Sequence, residues 1–302
     1  MSYDVVVIGC GGIGGAVIDM LPQVMACLNV DKLPEDMQEE LLRSEGLDQS
    51  NYRNCFDQLI LIDGDEFSGH NALRQAGTAG RKLAVQMNKI RSMDAFTVWL
   101  NQTHLVGYDM YIKPSNMGKI FARTCNPIIF LGVDNHKTRY EVTRWLEENG
   151  PDRFLLINGG NNKVTGNVTI YEKNYTILDP PIYKLYPEVN ENADRRPDEV
   201  ACGTVTVQND QTVIINHMIA SIMLNYFRKY VMWDYSYTQH KPFNQKTRQK
   251  GADGKPVELR MNEVVVDLET NTMMALSHKA DTDNRRAEVA DVENVPENAE
   301  IE

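Results

Sequence analysis

The sequence predicts an α/β protein with a mainly parallel sheet, helices on both of its faces and an antiparallel extension towards the C-terminus. Three observations carry this prediction. Tyr3-Asp4-Val5-Val6-Val7-Ile8 is a β-branched run that stops at a glycine cluster and passes into a helical pattern, as a buried parallel strand does. Two further apolar runs, at 58–62 and 127–133, end in the acids Asp63 and Asp134. Helical stretches alternate with such runs as far as Asn158, whereas beyond it Val164, Val168 and Ile170 are set among polar residues, the spacing of antiparallel strands.

Taken in order, residues 13–28 read as a helix with Ile13, Ala16, Val17, Met20 and Leu21 on one face, and Pro22 is expected to kink or end it. Residues 29–56 read as a helical insertion before the second strand. A polar loop at 64–80 leads to a helix at 81–90, a strand at 95–100 and a helix at 115–124. A helix at 137–148 and a strand at 154–158 complete a nucleotide-binding half, residues 1–158. The second half, 159–278, holds the antiparallel strands, a proline-rich crossover at 180–200, a helix at 211–230 that is apolar nearly all round, and a strand at 258–268. Asp210 is expected to cap that helix. The acid-rich end, 279–302, has the composition of a disordered, solvated tail.

Composition narrows the function. A net charge of −11 over 302 residues does not suit a non-specific nucleic-acid binder, which neutralises phosphates with Lys and Arg. Five scattered cysteines without a Cys-x-x-Cys pair argue against a disulfide framework and a structural zinc. No uninterrupted apolar run suggests a bilayer crossing, and the N-terminus lacks a signal-peptide flank. A cytoplasmic protein without a membrane partner is expected.

Gly9-Cys10-Gly11-Gly12-Ile13-Gly14 is a G-x-G-x-x-G turn between strand and helix, where backbone N–H groups and the helix N-terminus favour phosphate. This implies a Rossmann-like fold, doubly wound, and by itself admits either a dinucleotide or ATP. Asp63, at the end of the second strand, is the candidate ribose acid, and a loop-capping aspartate is its alternative. Further on stand Asp63-Gly64-Asp65, then Asn71-Ala72-Leu73-Arg74-Gln75, then Gly80-Arg81-Lys82, and at the next strand end Asp134-Asn135-His136-Lys137-Thr138-Arg139. In this order the four segments resemble the motifs of the ThiF/MoeB family, bacterial relatives of ubiquitin-activating enzymes. Stand-alone ThiF-like proteins of bacterial operons are the most similar group.

The resemblance implies ATP-dependent adenylation of the C-terminal carboxylate of a ubiquitin-like, β-grasp protein, in a homodimer, with the acceptor's flexible tail threaded to the α-phosphate along a channel that Gly159-Gly160 and the crossover are expected to border, and with hand-over to a ubiquitin-conjugating-like enzyme or to sulfur transfer. It implies a site of Gly9, Gly11, Gly12, Gly14, Asp63, Asp65, Asn71, Arg74, Gln75, Lys82, Asp134 and Asn135, with Mg²⁺ on Asp134. The chemistry agrees. Two anions must meet and pyrophosphate must leave, so cationic Arg74 and Lys82 and neutral donor Asn71 suit the phosphates, and Asp134 suits a cation that keeps several waters. Cys202, after the crossover, is either the acyl acceptor of a later thioester or a buried structural thiol. Arg81 and Arg139 are read as structural. The family's zinc-binding cysteine pairs are absent from this sequence, and its N-terminal arginine is unassigned. A nicotinamide-dependent oxidoreductase is the alternative from the glycine turn and Asp63 alone, but it leaves the N-x-x-R-Q and D-N segments without a role. A non-catalytic scaffold subunit is the third reading.

Overall fold

The computed structural model describes residues 2–31, 54–67, 80–174, 177–178, 180–190, 194, 196, 199, 213–238, 262–276 and 278. Asn71, Arg74, Gln75, Cys202, Asp210, the helical part of the insertion and the acidic tail lie outside the described residues.

Strand β1 (Tyr3–Ile8) runs through the centre of the sheet, buried along its whole length. It is flanked by β2 (Phe56–Ile62) and β6 (Ile128–Leu131), both parallel to it. Beyond β2 lies β5 (His104–Tyr108), and beyond β6 lies β7 (Arg153–Asn161), again parallel. The parallel strands therefore follow the order β5-β2-β1-β6-β7, and the chain reverses direction across the sheet between β1 and β6. Ligands of such sheets bind beyond the strand ends at that reversal. From β7 the sheet turns antiparallel through β8 (Thr165–Asn174), which also pairs with the short β9 (Ile177–Leu178), then β10 (Glu263–Asp267) and the edge strand β11 (Thr272–Leu276), while β3 (Glu66–Phe67) and β4 (Gly80–Arg81) form a separate two-stranded ribbon. Both halves expected from the sequence thus contribute to one sheet.

Alternation along the buried strands feeds two cores. Val5 and Val7, Leu59 and Leu61, and Phe130 face α1 (Gly12–Asp31) and α6 (Val213–Thr238). Val6 and Ile8, Ile60 and Ile62, and Ile129 and Leu131 face α3 (Pro114–Phe121) and α4 (His136–Asn149). Covering both faces is what permits continuous hydrophobic runs in parallel strands. On the first face, Ile215, Ile219, Met223 and Phe227 are buried from α6, but burial is confined to one side of the helix, and Val213 and Ile214 from its apolar sequence are exposed.

Several local expectations are corrected. Helix α1 continues through Pro22 to Asp31, because Val17, Ile18, Leu21, Met25 and Leu28 are fully buried and their packing outweighs the lost backbone hydrogen bond. Over Gly12–Val30 this helix is long and apolar enough to cross a bilayer by length and composition, but 67% of that stretch is buried inside the protein, as in a core helix. Residues Ala95–Trp99 form a turn of π-helix instead of a strand: Phe96 packs on the first core and Leu100 is fully buried, a four-residue spacing that suits a helical turn. The strand comes later, at β5. One helical turn, α5 (Ile182–Leu185), interrupts the crossover after Pro181. The hairpin β10–β11, turning through Asn271 at φ 53°, extends the sheet beyond the single strand expected there.

Candidate functional site

At the β1/β6 reversal the glycine turn is held by backbone geometry. Gly9 adopts φ +85°, and a Cβ on Gly14 would lie 1.7 Å from the Gly9 carbonyl oxygen. Neither position accepts a side chain without moving backbone, so α1 starts directly against β1. A Cβ on Gly12 would strike the Asn216 side chain of α6, whereas one on Gly11 would meet nothing within 4 Å.

Asp63, at the end of β2, braces the turn. Its Oδ2 accepts the Cys10 N–H at 2.6 Å and its Oδ1 accepts the Asp65 N–H at 2.7 Å. Burial raises its carboxyl above the usual range, partly opposed by Lys82 and these two hydrogen bonds. The loop-capping alternative is therefore realised in the structure. Burial first, and Asp63 second, push the Cys10 thiol far up, which makes it a packing group instead of a nucleophile.

Lys82 opens α2 (Lys82–Arg91), with its side chain only 10% exposed and its Nζ 3.3 Å from Asp65 Oδ2. Tyr111 donates to the other oxygen of Asp65 at 2.5 Å. Arg81 is half exposed, pairs loosely with Glu66 and Asp109 at 3.6 Å and donates to the Gly64 carbonyl at 3.1 Å. Past β6, Asn135 caps α4 by accepting the Thr138 N–H at 2.8 Å. Asp134 is exposed and has no hydrogen bond or ion pair among the described residues.

These groups converge. Gly9, Gly11, Gly12, Asp63, Asp65, Lys82, Asp134 and Asn135 all line one cavity of about 670 Å³, a size usual for small-molecule sites, and Gly14 packs behind it. The cavity continues past the nucleotide-type crevice along β7 and β8 to Gly160, Asn161, Asn167 and Tyr186. Gly159-Gly160 and the crossover were expected to border the acceptor channel, and Gly160 and Tyr186 do line this limb, whereas Asn161 and Asn167 were not singled out from the sequence. The signal present was the density of asparagines at 158, 161, 162 and 167 beside Gly159-Gly160, residue types depleted from strand interiors.

Arg139 is buried, donating to the Asn158 side chain and to the Val133 carbonyl, and burial lowers its guanidinium to about 10 against the pull of Asp134 and Asp194. The described parts of the crossover are tied to α4: Arg196 pairs with Glu141 and Glu199, Lys137 Nζ reaches Glu199 at 2.7 Å, and Asp194 accepts the Lys137 N–H at 3.0 Å. The hydrogen bond from Lys137 holds the Glu199 carboxyl low.

With this architecture the chain superposes on Escherichia coli MccB bound to MccA-N7isoAsn with a TM-score of 0.56, at 13% identity, covering 93% of this chain and 65% of MccB. The fold resembles that of MccB. MccB is called a microcin C7 biosynthetic enzyme in its complex with N-formylated MccA, which overlays at a TM-score of 0.55 and 14% identity over 91% of this chain and 64% of that one. The ATP-bound form of MccB overlays at 0.54 and 13% identity, over 91% of this chain and 63% of that one. PaaA gives 0.52 at 14% identity, over 91% and 72%. The chain spans 65% or less of the MccB structures cited here. No family model matches the sequence, and no curated protein matches it. At such identities the likeness concerns the fold, and the activity is argued from the site.

Proposed function

We propose that this chain adenylates a carboxylate at the C-terminus of a peptide or small protein, using ATP. The observation that carries the reading is the single cavity in which the glycine turn, buried Lys82 and exposed Asp134 meet a second, amide-lined limb. A nucleotide alone would need only the first part. In the reaction a carboxylate oxygen attacks the α-phosphorus, the bond from that phosphorus to the bridging oxygen breaks, and pyrophosphate leaves with the electron pair. Lys82 offers a fixed positive charge to the phosphates, the glycine turn offers N–H donors, and Arg74 supplies a second cation. Asp134 fits Mg²⁺, which takes one or two carboxylates and keeps its remaining waters, and the ion would supply neutralisation of phosphate charge. That MccB is solved with ATP, and with an ATP analogue together with MccA, supports the pairing of nucleotide and peptide.

We further propose a ubiquitin-like, β-grasp acceptor with a flexible tail, a homodimer in the cytoplasm and acyl transfer to Cys202. These finer readings rest on the sequence resemblance to the ThiF/MoeB motifs. A nicotinamide oxidoreductase is less well supported, because the second limb has no use in it.

The direct test is incubation of the purified chain with ATP labelled on the α-phosphate and a panel of peptides and β-grasp proteins. Label appearing in a hydroxylamine-sensitive acyl-adenylate, and lost in Lys82→Ala, is the expected result. Binding of NADH with hydride transfer, and no labelled adduct from any acceptor, would replace this reading with the oxidoreductase one.

A further inference from the structure

Gly64 has a φ outside the left-handed region, so its backbone does not call for glycine. What excludes a side chain there is Tyr111: a Cβ on Gly64 would lie 2.8 Å and 2.9 Å from the Tyr111 ring carbons Cδ2 and Cε2, and 2.9 Å from its backbone nitrogen. The glycine between Asp63 and Asp65 thus admits a tyrosine from the segment that follows β5, 46 residues beyond Asp65. That approach brings two contacts into line. The Tyr111 hydroxyl donates to Asp65 Oδ1 at 2.5 Å, and Asp65 Oδ2 lies 3.3 Å from Lys82 Nζ. Tyr111, Gly64, Asp65 and Lys82 all line the cavity.

Each link of this chain is held from outside it. Asn116, in the first turn of α3, donates to the Tyr111 carbonyl at 2.9 Å and accepts the Lys113 N–H at 2.9 Å, so the start of that helix fixes the Tyr111 backbone. The Asp65 backbone is fixed on both sides, its N–H donated to Asp63 Oδ1 at 2.7 Å and its carbonyl accepting the Lys82 N–H at 3.3 Å. A lysine ammonium, by contrast, is a point charge on a flexible four-carbon stem and does not place itself. Asp63 also acts on Lys82 electrostatically, but both Asp63 oxygens are bonded to backbone N–H groups. Among the described residues Asp65 is the one carboxylate in an ion pair with Lys82. A hydroxyl bonded to an ionised carboxylate makes a short, strong contact, and by occupying Oδ1 it leaves Oδ2 facing Lys82.

We propose that Tyr111 is a positioning residue for ATP: its hydroxyl orients Asp65, and Asp65 holds the Lys82 ammonium at the cavity wall, ready for the phosphates. The inference rests on the ATP reading of the cavity and adds to it a residue that lies outside all four sequence motifs. Asp65 then acts on the nucleotide through Lys82, as the counter-ion that Lys82 exchanges for phosphate, and does not itself touch the ligand. An indirect role suits a carboxylate here, because two anions brought together repel.

Ligand-observed NMR titration of the full chain with ATP and with adenosine tests this in the wild type, Tyr111→Phe, Lys82→Ala and the double variant. Phenylalanine keeps the ring against Gly64 and removes only the hydroxyl, so circular dichroism should be unchanged. Tyr111→Phe should weaken ATP about fivefold, the scale of one hydrogen bond, and leave adenosine, which has no phosphate for Lys82, unaffected. In the Lys82→Ala background the same substitution should have no further effect on ATP, because the two residues act in series. A separate reading needs no nucleotide: with isotope-labelled lysine, the Lys82 ε-methylene signal, assigned from its loss in Lys82→Arg, should shift in Tyr111→Phe. Equal weakening of ATP and adenosine would make Tyr111 a contact to the nucleoside and overturn the proposal. An ATP affinity indifferent to Tyr111→Phe, losses that add in the double variant, or an unmoved Lys82 signal would overturn it too. A wild type that binds no ATP, with a Lys82 signal that still shifts, would keep Tyr111 as the positioning residue of Lys82 and remove the ATP reading.

Discussion

Asp63 stands where a nucleotide-binding fold is expected to keep its ribose acid, yet both of its oxygens hold backbone N–H groups of the protein itself, and Asp63→Asn separates the two roles. The amide can accept from only one of Cys10 and Asp65, and it points an NH₂ at the other N–H. A hydrogen bond to a charged group contributes about 1.5–3 kcal/mol, and a buried unsatisfied donor costs a further ~1–3 kcal/mol. Against this, the substitution removes a buried charge whose raised pKa shows that the fold disfavours its ionisation. The net expectation is a loss of about 2 kcal/mol without any nucleotide, read as a drop of ~1 M in the urea midpoint for a slope near 2 kcal/mol/M. The pH dependence gives an independent reading. A carboxyl raised in the folded state contributes stability that is full below its unfolded pKa and is lost as pH rises through the folded value. Wild type should therefore lose this increment on the alkaline side of the ordinary aspartate value of 3.8, and Asp63→Asn should not. A variant as stable as wild type in the absence of ligand, with the same pH slope, would refute the bracing role.

Other predictions follow from single contacts. Gly14→Ala places a Cβ against the Gly9 carbonyl, a backbone clash that no rotamer relieves, and should cost ~3 kcal/mol or prevent folding, as urea unfolding would show. Cys10 should resist iodoacetamide at pH 8 in the native protein while exposed Cys27 and Cys125 react, as read by peptide mass mapping. Glu263 has the opposite sign from Asp63: its lowered carboxyl contributes stability above the ordinary glutamate value of 4.5 that is lost as pH falls through the folded value, so Glu263→Gln should flatten the acid limb of the stability curve. Lys82→Ala should reduce affinity for ATP at least tenfold by equilibrium dialysis, since a buried phosphate-binding charge is removed.

Much of the parallel half was legible because its signals are local. Val5 to Ile8, Ile60 to Ile62 and Ile128 to Leu131 are continuous apolar runs, and a strand buried on both faces demands just that. The glycine turn was legible for a similar reason: the positive φ of Gly9 is a property of its own backbone, and the exclusion at Gly14 acts against Gly9, a few positions away. The π-turn at Ala95–Trp99 was not, because Thr97, Val98 and Trp99 favour strands in isolation, and it is the buried Leu100 and the packing of Phe96 on the first core that decide otherwise. Likewise Pro22 reads as a stop until the burial of Leu21 and Met25 is known. In the site, Asp63, Asp65, Lys82 and Asp134 could be named from strand ends and motif order. Gly159-Gly160 and the crossover could be placed beside the acceptor channel, but the network of Asn167, Tyr186, Glu263 and His278 could not, since it joins four separate stretches that the folded sheet and crossover bring together. Arg139 reads as structural from the sequence, and its burial beside Val133 and Asn158 agrees with that while also placing it at the cavity wall.

The central claim, a site that joins ATP to a peptide carboxylate, is tested most directly by ATP–pyrophosphate exchange with the purified chain and a library of peptides differing at the C-terminal residue. The account predicts exchange that depends on the peptide, requires a free C-terminal carboxylate and disappears in Lys82→Ala and Asp134→Ala. Peptide-independent exchange, or none with any peptide while ATP is bound, would contradict it.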